Sequence, residues 1–417
     1  MKNRIQNFCI VFLIFAALVL GYLTAAENYG LFSPVQTAGP ETRRTADPVR
    51  PLSVILRGET CLRITDSRLL TAYCEQLRPV LTELFGSAGA FSTVPESAWS
   101  DALRESGVLL DYGALLPVTV MAGEGVPAPE WIADSLLLAL EGESVGLMIH
   151  GENGCFRAET ALKTADLSRL LESTGEAVTY LCELPDVPAG LTDHSAVPSH
   201  TNLSAAVVCT ALCGEDGRYE RDRQDLLLTA FGLDSYSARS YTDPEGGRVY
   251  LGENGTLRTV PDGTVLYLSA AGMGAEAASA VNAAAAAEQI LYRCTEGLNN
   301  RLRYCLSGIR TENGVMRVDF DVYLDGCPMI RGDGSRKAAC FLFENGHLSR
   351  CELRLFGVTD AAADAVTPDL SAEALLMGLG SHAVGRLTPA WVESDGLWQL
   401  QWCALPVSGE GSVSIHE

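Results

Sequence analysis

Lysine is almost missing from this chain: Lys2, Lys163 and Lys337 are the whole supply. Schiff-base and phosphate-loop chemistries each need a lysine in a set context, and neither Lys163 nor Lys337 stands in a glycine-rich phosphate loop. Positive charge is scarce altogether, with 30 Lys and Arg against 52 Asp and Glu and a formal net charge of -22. A surface of that sign repels phosphate backbones, which argues against nucleic acid as a partner. The 6 histidines offer no HExxH and no paired ligand spacing. His194 and His200 share a loop with Asp193, which reads as a solvated loop before it reads as a weak metal site. There is no CxxC pair among the 13 cysteines and no GxSxG elbow beside Ser381-His382. Carboxylates, in turn, are too numerous for one pair to stand out as an acid/base couple.

What the chain does carry begins at its start. Lys2 and Arg4 precede an apolar run that opens at Phe8, holds only Cys9 and Gly21 besides aliphatics and aromatics as far as Leu23, and extends to Ala26. Such a run meets the ~20 residues needed to cross a hydrocarbon core. Basic residues before it and Glu27 after it leave the N-terminus in the cytoplasm and export the remainder. We therefore expect a cytoplasmic N-terminus at 1–7, a transmembrane helix at 8–26 and a single-pass protein in the cell membrane. A cleaved signal peptide is the competing reading, since Thr24-Ala25-Ala26 offers small residues to a signal peptidase. The run exceeds the about 7–15 residues of a signal core, which favours the anchor. Ala17, Gly21 and Ala25 recur every fourth residue and would form one smooth strip where a second membrane helix could approach.

Composition bounds the exported part. With 417 residues, 47% hydrophobic and 20% charged, it can bury sizeable cores, and its length suggests two or three domains. Setting aside Cys9 leaves 12 exported cysteines at irregular spacing. Several stand in apolar runs, as at Val207-Val208-Cys209 and Ala339-Cys340-Phe341, where cysteine behaves as a small hydrophobe. Most are expected as buried thiols, with room for a few native disulfides.

Residues 27–50, rich in Pro, Thr, Ala and Arg without apolar periodicity, read as a linker. An α+β domain is expected over 51–190. Within it lie a strand at 52–56, a helix at 68–86 that Pro79 should kink or split, a helix at 99–106, and strands at 108–112, 117–122 and 145–149, then a helix near 165–174. A second α+β domain is expected over 200–310. It holds a helix at 222–231, a three-stranded meander at 247–268 turning at Asn254-Gly255 and Asp262-Gly263, and an Ala-rich helix at 275–292. The third part, 311–405, reads as mostly antiparallel β, with turns at Asp325-Gly326 and Asn345-Gly346, a short helix at 372–378 and closing strands, before a tail at 406–417. The fold class expected is thus α+β: a transmembrane helix followed by mostly antiparallel sheets with packed helices.

Two short motifs invite a function and are set aside. Gly272-Met273-Gly274-Ala275-Glu276-Ala277 has the spacing of a dinucleotide fingerprint, but its preceding strands are hairpin-linked and no βαβ series surrounds it. Arg331-Gly332-Asp333 matches an adhesion tripeptide and reads as a turn in a glycine-rich loop. The sequons at Asn202 and Asn254 matter only in a source that glycosylates exported proteins.

Several stretches resemble the YycH/YycI group, membrane-anchored accessory proteins of the WalK/WalR two-component system. They are the anchor itself, Val108 through Asp111-Tyr112-Gly113 to Pro117, Arg248-Val249-Tyr250 to Tyr267, Val318 to Pro328, and Leu387-Thr388-Pro389-Ala390-Trp391 through Trp398 to Trp402. The resemblance implies a non-enzymatic regulator without catalytic residues, cofactor or metal. Its partners would be a sensor histidine kinase and a paralogous accessory protein, and its effect would fall on cell-wall metabolism. The strip of Ala17, Gly21 and Ala25 would dock on a kinase helix. An exported enzyme or ligand-binding protein using an interdomain cleft is the alternative.

Overall fold

The structure, a computed structural model, describes residues 49–58, 60–172, 175–180, 196–198, 206–270, 275–298, 301–361, 386–394, 396–405 and 413–414. The expected span at 8–26 with its strip, nearly all of the linker, the His194/His200 loop, Gly272–Gly274, the helix at 372–378 and Ser381-His382 lie outside these residues. Among the described residues no helix is long and apolar enough to cross a membrane.

Runs such as Val54-Ile55-Leu56, Val108-Leu109-Leu110 and Leu136-Leu137-Leu138 are buried throughout, so both faces of their sheet must be covered. The strands are β1 (Ser53–Arg57), β2 (Cys61–Ile64), β3 (Ser92–Val94), β4 (Gly107–Pro117), β5 (Ile132–Glu141), β6 (Ser144–Gly151), β7 (Gly154–Lys163), β8 (Glu176–Tyr180) and β9 (Ala196–Pro198). They form a 9-stranded antiparallel sheet in the order β3-β7-β6-β5-β4-β1-β2-β8-β9. Helix α1 (Ser67–Ser87) lays Leu70, Tyr73, Leu77, Leu81, Leu84 and Phe85 into the main core. Helix α2 (Glu96–Arg104) covers the other face with Trp99 and Leu103, packed among Ile55, Leu109, Leu137 and Met148. Two short helices, α3 (Val118–Ala122) and α4 (Thr164–Ser168), complete this half.

The second sheet is 14-stranded. It comprises β10 (Ala206–Ala211), β11 (Arg239–Thr242), β12 (Arg248–Gly252), β13 (Gly255–Thr259), β14 (Thr264–Ser269), β15 (Leu302–Glu312), β16 (Val315–Leu324), β17 (Cys327–Ile330), β18 (Lys337–Glu344), β19 (His347–Arg354), β20 (Phe356–Asp360), β21 (Arg386–Ser394), β22 (Leu397–Leu405) and β23 (Val413–Ser414). Its path runs β11-β12-β13-β14-β19-β18-β16-β17-β21-β22-β10-β20, with β15 on β16 and β23 on β22. Every pair is antiparallel except β17 with β21. Helices α5 (Arg221–Ala230) and α6 (Ala280–Thr295) pack on each other, and α6 lies on β15 and β16 while also touching α3. One hydrophobic cluster therefore runs from Leu110 and Leu138 of the first sheet through α1 and α6 to Phe320 and Phe341 of the second.

The α+β class and the meander of β12, β13 and β14 are as expected. Two expectations are corrected. Residues 117–122 are not a strand: Pro117 caps a helical turn whose Val118 N–H donates to Trp131 O (2.8 Å), and Gly123 ends it at φ 95. A short apolar run has no periodicity to separate the two forms. Pro79 does not split α1, because it sits on the exposed side, where water can satisfy the carbonyl it frees. Residues Ala46–Glu417 cluster as one compact unit, and β14 pairs with β19 across residue 310.

Candidate docking face and cleft

Among the described residues the second sheet buries one face against α6, while several residues of its other face stay exposed. Val318, Phe320, Phe341 and Leu353 point inward, so the alternate residues of the same strands point out. Cross-strand register then lines up residues far apart in sequence. Arg239 faces Leu251, Leu251 faces Thr256, Thr256 faces Leu268, and Leu268 faces Arg350. Arg350 in turn faces Leu342, Leu342 faces Arg317, and Arg317 faces Arg310. This row holds four arginines, three leucines and one threonine, and no carboxylate, in a chain whose acids outnumber its bases 52 to 30. At the ~4.8 Å spacing of neighbouring strands its seven steps span about 34 Å. Leu268 is 55% exposed and Leu251 41%, and Tyr241 in the next row is 49% exposed.

The cations are held in place from below. The buried Asp319 carboxylate accepts from Arg317 Nε (2.9 Å) and lies 3.5 Å from both Arg310 Nη2 and Lys337 Nζ. One negative charge thus anchors three positive ones. Glu352 lies 3.7 Å from Arg350, and a shallow cavity of about 280 Å³ opens among Arg317, Lys337, Arg350 and Arg354. Burial, with Asp319 beside it, pushes the Cys340 thiol beneath this face up to about 11. The neutral thiol is a poor nucleophile. Exposed leucines between fixed guanidinium groups suit a partner carrying both carboxylates and apolar side chains, and its association would depend on salt.

A separate cleft of about 580 Å³ opens between α1 and α6, with Arg50, Arg68, Glu75, Glu288, Tyr292 and Arg303 on its walls. Arg303 also ties the two sheets together. Its Nη1 donates to Leu52 O (2.8 Å) and Thr65 O (3.0 Å), and its Nη2 to Pro51 O (3.1 Å). Glu96 at the start of α2 and His150 and Cys155 on the first sheet form the group of described residues able to hold a metal ion.

None of the row was legible as a site beforehand, because its members are scattered from 239 to 350 and only the pairing register assembles them. The strip at Ala17, Gly21 and Ala25 lies outside the described residues. Arg331-Gly332-Asp333 is a turn, with Arg331 N–H donating to Ser335 O (2.9 Å) and Gly334 N–H to Arg331 O (2.8 Å). The fingerprint-like stretch follows β14, which is antiparallel to both its neighbours, so the parallel strands of a dinucleotide fold are not what precedes it.

Taken together, the fold defines a class: a sheet-rich α+β body with an open, cationic sheet face and helices packed between two large sheets. A solved structure with this architecture is that of YycH from Bacillus subtilis, which superposes with a TM-score of 0.50 over 90% of this chain and 98% of that one, at 10% sequence identity. The chain therefore has a YycH-like fold. No family model and no curated protein matches the sequence.

Proposed function

We propose that this chain is a non-enzymatic regulator, anchored in the cell membrane with its bulk outside, that binds a sensor histidine kinase. In this reading it modulates two-component signalling linked to cell-wall metabolism, together with a paralogous accessory protein. The observation that carries the reading is the open sheet face with its carboxylate-free row of Arg239, Arg350, Arg317 and Arg310; the YycH-like fold supplies the class of partner. The face would meet an acidic, partly apolar surface of the kinase's extracytoplasmic part. The membrane helix at 8–26 would meet the kinase's own helix along Ala17, Gly21 and Ala25.

The test is purification of the intact protein from native membranes in mild detergent, with identification of what accompanies it. A histidine kinase is expected, weakened at least tenfold by Arg317→Glu with Arg350→Glu and lost with Gly21→Leu. A kinase retained by all variants would remove both contact surfaces, and no kinase at all would remove the reading.

One observation favours a second reading, a binding protein using the cleft between α1 and α6. Its volume of about 580 Å³ falls in the ~300–1,000 Å³ range of small-molecule sites, and charges of both signs line it. Turnover of wall fragments, or their binding with thermal stabilisation that Arg68→Ala removes, would support it.

A further inference from the structure

At the far end of the first sheet, three side chains able to bind metal converge for reasons of register. His150 of β6 and Cys155 of β7 are direct cross-strand partners beside the hairpin turn, and Cys155 also pairs with Val94 of β3. Glu96 opens α2 two residues after Val94, which brings its carboxylate over the same pair. Cys155 Sγ lies 3.3 Å from Glu96 Oε2, His150 Nε2 lies 3.7 Å from the same oxygen, and all three donor atoms fall within 4.8 Å of one another.

The histidine is oriented by a fourth residue. Strand β5 shifts register between Ala133 and Ser135, so Asp134 is the extra residue of a β-bulge, and bulges re-aim side chains. Its buried carboxylate accepts from His150 Nδ1 at 2.8 Å. A proton on Nδ1 leaves the lone pair on Nε2, the nitrogen that faces Glu96 and Cys155. Fully buried Trp99, its ring 5.2 Å from the imidazole at 36° between planes, restrains the ring from the other side.

We propose that Glu96, His150 and Cys155 bind one zinc ion, with Asp134 as the carboxylate that positions the histidine and water as the fourth ligand. Sulfur, nitrogen and oxygen is a donor set zinc accepts, at bond lengths of about 2.0–2.3 Å. Two such ligands on a tetrahedral ion sit about 3.3–3.8 Å apart, which matches the 3.3 and 3.7 Å edges, and the third edge lies within 4.8 Å. Cys155 gives up its thiol proton to solvent as the metal–sulfur bond forms, so affinity rises with pH. The site has an entry path, because Glu96 is 63% exposed while the other two ligands line the interior side. Bound zinc would clamp α2 and β3 onto the β6–β7 hairpin, an activity independent of any kinase contact.

The experiment uses the purified full chain, stripped with chelator and titrated with zinc and then cobalt. One equivalent of zinc is expected to bind and raise the melting temperature. Cobalt is expected to show a thiolate-to-metal absorption band that Cys155→Ser abolishes. Glu96→Gln, at an exposed position that does not threaten folding, should weaken binding at least tenfold, and Asp134→Asn by about 10–100-fold with the band kept. A cobalt band that survives Cys155→Ser, or a zinc affinity indifferent to Glu96→Gln, would overturn the assignment.

Discussion

Single residues show how burial sets chemistry in this protein. Cys294 and Cys403 are buried, and burial pushes both thiols up to about 12; Cys351, fully buried beside Cys294, is held well above its ordinary value. These thiols take no part in disulfides and serve as small apolar groups, as Ala339-Cys340-Phe341 and similar runs led one to expect. Asp321 is the harder case. Burial holds its carboxyl above the usual carboxylate range despite Arg336 at 3.4 Å. The folded chain keeps this proton more tightly than the unfolded chain does. Asp321 therefore favours folding most below the unfolded value of about 4 and loses that contribution as pH rises through its folded value. Asp321→Asn should flatten the fall in stability over that window; urea midpoints from about pH 3.5 to 7 check it, and an unchanged slope would refute it.

At the scale of elements, turn chemistry was the most legible signal. Asp325-Gly326 and Asn345-Gly346 have φ near 50 and 78, the paired positive values of a type I′ hairpin turn, and Asn313-Gly314 joins β15 to β16 the same way. Helix starts followed their caps. Asp66 Oδ1 accepts from the N–H groups of Arg68 and Leu69 (3.0 Å each), and Ser279 Oγ accepts from Asn282 N–H (3.2 Å), which starts α6 later than its Ala-rich run suggested. Strand β5 is a continuous apolar run without alternation, a pattern that does not by itself separate a buried strand from a buried helix. The break in β4 after Asp111 is set by Gly113 at φ +70, whose N–H donates to Asp111 Oδ1 (2.9 Å). A Cβ there would lie 2.7 Å from Leu52 Cδ2 and 3.2 Å from Tyr323 Oη. Gly113→Ala should cost about 1–3 kcal/mol in equilibrium unfolding, since left-handed strain and a clash act together; a loss under about 0.5 kcal/mol would mean the bulge relaxes freely.

For the molecule as a whole, the decisive contacts join chain segments about 250 residues apart. Arg303 of β15 bonds three carbonyls at residues 51, 52 and 65, and Tyr323, Cys305 and Leu52 pack as a cluster beside it. Arg303→Met would leave those carbonyls without their cationic donor. We expect a loss on the order of 2–4 kcal/mol and earlier hydrogen exchange in β1 than in β16, measured by urea unfolding and exchange mass spectrometry. A single transition with an unchanged midpoint would show that the shared core, not this link, couples the sheets.

By itself the sequence determined the α+β class, the hairpins and most helices, because turn dipeptides, caps and apolar periodicity act over a few residues. It also settled the acidic balance and the shortage of lysine. Tertiary structure alone decided that Arg239 and Arg310 share one row, that Glu96 meets Cys155, and that Arg303 reaches Pro51. Strand order and register set those distances, and long-range pairing leaves no mark on the local pattern of any one segment.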